Sequence, residues 1–254
     1  MLAERFASLR TSGRRALVCY VTAGHPDRGA SLALVQGIAE AGADVIELGV
    51  PFSDPVADGP VIQQSSQSAL EAGMTLDGTL DVAAAARPGV PLVLFSYLNP
   101  VLAAGRDVLR RASDAGFSGI LVTDLPVGAD PEREQWIGDG PLAFVRLVAP
   151  TTPAVRMAEI ARHGSGFVYL ISRLGVTGAR ADLPPGLRET VERLRASCTL
   201  PICVGFGVST PDQAVAVGSV ADGVVVGSAL VAAAAKSVDG AVGFVRDLRS
   251  ALDG

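Results

Sequence analysis

Short apolar runs rich in Val, Ile and Leu alternate along the chain with longer stretches whose apolar positions recur at helical spacing. Eight runs stand out, at 16–21, 45–48, 92–95, 119–122, 142–148, 167–171, 202–204 and 223–226. Runs so short and so continuously apolar read as strands buried on both faces. Helical patterns lie between them, among others at 31–41, 61–72, 107–115, 153–163, 187–196 and 211–217. Thr152-Pro153 and Thr210-Pro211 read as N-caps followed by proline at the first helical position. Gly42, Gly116, Gly164 and Gly218 each follow a helical pattern, where left-handed backbone commonly ends a helix. The pattern predicts an α/β fold, a single (β/α)8 TIM barrel over residues 1–254. Eight β/α units in about 250 residues match that barrel. An open doubly wound sheet is the architectural alternative. No linker or low-complexity segment divides the chain.

Composition narrows the chemistry. Of 254 residues, 49% are apolar and 19% charged, as in a globular protein with a large core. The net charge of −5 and the lack of a basic patch argue against nucleic acid as a partner. The mean hydropathy of +0.39 raises the question of a membrane span. The longest uncharged run, 88–105, holds three prolines and two glycines and reads as strand and loop instead. Glu4, Arg5 and Arg10 leave no room for the apolar core of a secretory signal. Cys19, Cys198 and Cys203 form no C-x-x-C pair, and reduced, buried thiols in a cytoplasmic protein are expected. Lys236 is the only lysine, and it follows an alanine run, so Schiff-base chemistry is poorly served. The two histidines, His25 and His163, form no H-x-H or H-x-x-x-H pair, and no metal site is expected. His25 reads as a loop residue and His163 as a cation at a helix C-terminus.

What remains is carboxylates, hydroxyls and backbone groups. Active sites of (β/α)8 barrels sit at the C-terminal ends of the strands. Glu47 ends the run 45–48 and shares a face with Val45. A carboxylate at that depth is paired, neutral with a raised pKa, or functional, and an ion pair at the rim is the plain alternative. Asp58 follows in the loop 52–59, where Asp54-Pro55 and Asp58-Gly59 also suit simple turns. Glycine-bearing turns follow the last three strands, at 175–178, 205–207 and 227–228. Glycine admits close backbone approach, helix-start N–H groups favour anions, and barrels often hold phosphate there. Tight βα turns would use the same glycines.

The run Ile46-Glu47-Leu48-Gly49-Val50-Pro51-Phe52-Ser53-Asp54-Pro55-Val56-Ala57-Asp58-Gly59 resembles the signature segment of the tryptophan synthase alpha chain family. Further blocks follow in the family's order: 20–24, 97–100, 124–126, 169–173, 175–180 and 205–207. The resemblance covers nearly the whole chain. It implies a metal-free retro-aldol lyase that cleaves indole-3-glycerol phosphate to indole and glyceraldehyde 3-phosphate in tryptophan biosynthesis. No cofactor is implied on this chain, pyridoxal phosphate being carried by a partner beta chain in an alpha2beta2 assembly. By the resemblance, Glu47 is the acid/base and Asp58 holds the indole N–H. Tyr169 supports Glu47 by hydrogen bonding. Tyr20, Leu94, Leu121 and Phe206 wall the indole pocket, and Tyr97 contacts substrate. Gly178, Gly207, Gly227 and Ser228 hold the phosphate. Thr177 closes over Asp58 from a mobile loop, and Asp54 and Pro55 touch the beta chain. One stretch departs from the family: 127–140 is polar and weakly helical, which puts the fourth barrel helix in doubt. A stand-alone indole-releasing lyase, a quiet activating subunit and another phosphate-binding barrel isomerase are the competing readings. Intact Glu47, Asp58 and Thr177 argue against the second, and the 46–59 block against the third.

Overall fold

The computed structural model describes residues 1–171, 185–205 and 207–254. Helix α1 (Leu2–Thr11) precedes β1 (Ala16–Thr22) and α2 (Arg28–Glu40). Strand β2 (Val45–Gly49) leads to α3 (Pro60–Glu71) and α4 (Leu76–Ala86), and β3 (Leu92–Ser96) to α5 (Leu98–Ala103) and α6 (Val108–Asp114). Then come β4 (Phe117–Val122), α7 (Pro131–Gly138), β5 (Ala143–Val148), α8 (Ala154–Arg162), β6 (Val168–Ile171) and α9 (Leu187–Arg195). Strand β7 (Ile202–Gly205), α10 (Pro211–Gly218), β8 (Gly223–Val226), α11 (Ser228–Ala234) and α12 (Val238–Asp253) complete the chain. The eight strands pair in parallel and in chain order, and β8 closes on β1. This is the (β/α)8 barrel expected, with every strand within two residues of its apolar run.

Strand residues alternate between two apolar compartments, as the period-two pleat requires. Inward positions such as Val18, Val45, Val93, Leu121, Val145, Phe167 and Val225 fill the barrel. Leu2, Phe6 and Leu9 of α1 plug its N-terminal end, where Phe6 meets Phe167 with ring centroids 5.4 Å apart. Outward positions such as Leu17, Ile46, Leu48, Leu92 and Leu94 pack beneath the helices. The N-terminal half of the barrel interior is thus filled with apolar side chains.

Local signals fared unevenly. Thr210 caps α10 as expected, its side chain accepting from Gln213 N. Thr152 does not cap α8: its hydroxyl accepts from Ala149 N in the preceding turn, and Pro153 itself is the cap residue. Gly42 and Gly116 take positive φ, 112° and 102°, at helix ends, whereas Gly164 and Gly218 do not. The doubtful fourth barrel helix forms as the short α7, capped by Asp130. Its hold on the barrel is ionic as well as apolar. Buried Arg146 of β5 donates to Glu134 at 2.9 Å and to the carbonyls of Leu125 and His163, while Glu134 accepts from Gly128 N. A polar helix with one such buried anchor leaves a weak apolar signature.

A second buried carboxylate ties the closing elements together. Asp44, 1% exposed, accepts from Leu17 N, from Arg5 of α1 at 2.6 Å and from Arg249 of α12 at 3.0 Å. Removing one partner of a buried ion pair typically costs about 3–5 kcal/mol. Asp44→Ala is expected to lower Tm by roughly 10 °C, at about 2–4 °C per kcal/mol for this chain length. A thermal melt followed by circular dichroism checks this. A shift under 3 °C would show that the cluster is not what closes the barrel.

Candidate active site

At the C-terminal mouth of the barrel a cleft opens between β1, β2, β3, β6 and the turns after β7 and β8. Tyr20, Phe95, Ile62 and Tyr169 give it apolar walls. Glu47 and Asp58 bring two carboxylates to it, with Gly59 beside them, and Gly207, Gly227 and Ser228 line it as well. Tyr20 and Phe95 meet edge to face, with centroids 5.0 Å apart.

Glu47 is 1% exposed, and neither carboxylate oxygen has a hydrogen-bond partner among the described residues. Among the described residues no ion pair holds it. Burial pushes its pKa up to about 8. Desolvation disfavours the charged form. At neutral pH the group is therefore mainly a carboxylic acid, with a proton to give. The hydrogen bond expected from Tyr169 is not formed. Burial, and next the negative charge of Glu47, hold the Tyr169 phenol well above its ordinary range, so the two groups are electrostatic neighbours.

Asp58 is held differently. The Tyr97 hydroxyl donates to its Oδ2 at 2.9 Å and accepts from Ala57 N at 2.9 Å. Burial raises the pKa of Asp58, and the Tyr97 hydrogen bond opposes that shift. Among the described residues one carboxyl group thus has no hydrogen-bond partner and the other keeps a donor, an arrangement that separates their proton affinities.

Not all of the expected residues meet at the cleft. Glu47, Asp58, Tyr20, Tyr169, Gly207, Gly227 and Ser228 come together at the cleft. Leu121 points into the barrel interior with them. Tyr97 is buried and packs against Phe52 in a tilted pair, ring centroids 5.1 Å apart, acting on Asp58 instead of lining the cleft. Leu94 is a correction: it packs on the outer side of β3 among the helices, because alternation turns its neighbour Phe95 inward. Thr177, Gly178, Phe206 and the loop around them lie outside the described residues. Asp54 is exposed, and Asp54 and Pro55 sit on the loop beside Val56, which is 85% exposed. Phe95, Gly59 and Ile62 were missed. Ile62 and Gly59 carried a signal, since they bracket the start of the helix that follows Asp58. Among the described residues, no three His, Cys, Asp or Glu side chains converge as metal ligands, and no helix is long and apolar enough to cross a membrane.

Known proteins share this architecture and sequence. The sequence profile of the family described as "Tryptophan synthase alpha chain" matches residues 6–251. A tryptophan synthase alpha chain from Caulobacter vibrioides is 48% identical over 233 residues, covering 90% of this chain and 84% of the relative. One from Laribacter hongkongensis is 45% identical over 258 residues, covering 98% of each. Among solved structures, a Mycobacterium tuberculosis tryptophan synthase chain superposes with a TM-score of 0.91 at 36% identity, covering 99% of this chain and 97% of that one. A tryptophan synthase subunit alpha from Legionella pneumophila superposes with a TM-score of 0.91 at 32% identity, over 99% and 98%.

Proposed function

The chain belongs to the tryptophan synthase alpha chain family, and from that premise we propose that Glu47 and Asp58 are the acid/base pair with which it works. The reaction is the lyase step of L-tryptophan biosynthesis, cleavage of indole-3-glycerol phosphate to indole and glyceraldehyde 3-phosphate. It uses no cofactor on this chain, and pyridoxal phosphate sits on the beta chain that is its partner. The observation that carries the residue assignment is the buried Glu47, without a hydrogen-bond partner among the described residues, facing an apolar-walled cleft.

The chemistry needs a proton delivered and a proton removed, with no net redox change. Neutral Glu47 gives its proton to indole C3, and the ring nitrogen takes up the positive charge. Asp58, ionised and steadied by Tyr97, faces that N–H and stabilises the cation. Glu47, now a carboxylate, accepts the proton of the hydroxyl on the carbon attached to C3. The bond from C3 to that carbon breaks, its electron pair returns to the ring, and indole and the aldehyde result. Glu47 is left as the acid it began as. Acid–base catalysis by one positioned group typically contributes about 10²–10⁴-fold.

Tyr20, Phe95, Ile62 and Leu121 wall the indole, and Gly207, Gly227 and Ser228 hold the phosphate, with Gly178 completing the cradle. Asp54 and Pro55 meet the beta chain, which an alpha2beta2 assembly in the cytoplasm would supply. The whole of 1–254 serves as one barrel domain. Indole release from indole-3-glycerol phosphate by the purified chain tests the reading. Release that a beta chain accelerates supports it, and an inert chain with and without beta chain overturns it. Gly207 tests the cradle. Its φ is 97°, and it lines the cleft. Gly207→Val adds bulk and backbone strain there. Loss of a hydrogen bond to a charged group costs about 1.5–3 kcal/mol, so KM is expected to rise roughly 10–100-fold. An unchanged KM in a folded variant would move the phosphate elsewhere.

A further inference from the structure

Asp58 is steadied at its carboxylate by Tyr97, but the helix that follows it has its own tether. Thr22 ends β1 and Ser65 lies in α3; both are buried, and their hydroxyl oxygens are 2.7 Å apart. Ser65 Oγ donates its one proton to the carbonyl of Ile62 at 2.8 Å. The Thr22 hydroxyl is therefore the donor to Ser65. Its oxygen is left free to accept from the Tyr20 hydroxyl, 3.4 Å away. The donors run in one direction, from the cleft wall through the end of β1 into the first turns of α3. Apolar packing follows the same route, since Tyr20, Ile62 and Val231 form one buried cluster with Phe95 against it. Gly49 makes room for it: a Cβ there would come within 2.6 Å of Tyr20 Cζ.

We propose that the Thr22–Ser65 hydrogen bond is a latch that fixes α3 on β1, and so sets Asp58 and Ile62 at the distance the cleavage reaction requires. Thr22 and Ser65 touch no substrate; they are positioning residues, and the proposal rests on Asp58 being the residue that faces the indole. Helix α3 starts at Pro60, two residues after Asp58, so any slide of the helix moves the carboxylate. A misplacement of about 1 Å can cost 10²-fold in rate.

The test is steady-state cleavage kinetics with a saturating beta chain, on Thr22→Val, Ser65→Ala, the double variant, Thr22→Ser and Asp58→Asn. Thr22→Val keeps shape and removes the donor. Ser65→Ala puts a good helix former in a helix and keeps the fold should Thr22→Val lose it. The expected result is a ten- to hundredfold fall in kcat in each single variant, with KM changed less than threefold. The double variant is no worse than either single one, because both remove the same bond, and Thr22→Ser restores kcat to within threefold of wild type. A folded Thr22→Val or Ser65→Ala with kcat within twofold of wild type overturns the latch, as do effects that multiply in the double variant. If Asp58→Asn is inactive in that case, the Asp58 assignment stands alone. If Asp58→Asn is fully active, the assignment falls and the latch falls with it.

Discussion

Glu47→Gln is expected to abolish indole release and to raise the melting temperature in the same molecule. The amide keeps the size of the carboxyl group and can neither give nor take the proton. Cleavage should fall at least 10²–10⁴-fold. The stability gain follows from the titration. An unfolded glutamate ionises near pH 4.3, whereas Glu47 in the fold does so at about 8. Between those values the folded chain keeps a proton that the unfolded chain has released, so stability falls as pH rises. The contribution of neutral Glu47 is full below about pH 4 and is lost by about pH 8. At 1.36 kcal/mol per unit the difference is on the order of 5 kcal/mol. Glutamine carries no charge in either state and escapes the loss. At pH 8 the variant should melt roughly 10 °C higher than wild type, and at pH 4 the two should coincide. Wild-type cleavage should also decline above about pH 8, as the acid form disappears. A variant with a tenth of the wild-type rate, or one that melts with wild type at pH 8, would remove Glu47 from its role as a buried acid.

Asp58→Asn should cripple turnover for a different reason. Asparagine still offers an oxygen to the Tyr97 hydroxyl, so the loop keeps its anchor and only the negative charge is lost. Charge stabilisation aimed at a developing ion is worth about 2.7–4 kcal/mol. The expected fall in kcat is about 10²–10³-fold, with binding of an uncharged indole analogue little changed. A kcat within tenfold of wild type would mean that the indole cation is stabilised elsewhere.

The strands were legible because each is a bounded apolar run, and closure of the barrel followed from their number and spacing. Glu47 was legible because a carboxylate interrupts such a run. The face of β3 was not. Leu92, Val93, Leu94 and Phe95 are all apolar, so burial on both sides erases the alternation that would have separated Leu94 from Phe95. Tyr97 was assigned to the substrate although its hydroxyl serves Asp58, 39 residues earlier, a pairing set by the packing of two adjacent strand ends and invisible to spacing. The segment 127–140 looked weak because its anchor, the Arg146–Glu134 pair, is ionic and comes from a different element.

Val45 and Glu47 stand two residues apart on the same face of one strand, one in the hydrocarbon plug and the other at the cleft. That short step separates two kinds of selection. Changes near Val45 are filtered by whether the chain folds. Changes near Glu47 are filtered by what the chain converts, and at Glu47 itself the loss of activity is expected to bring a more stable protein. A scaffold divided in this way can try new pocket walls at Tyr20, Phe95 or Ile62 while its foundation stays untouched, which is the physical basis of its evolvability.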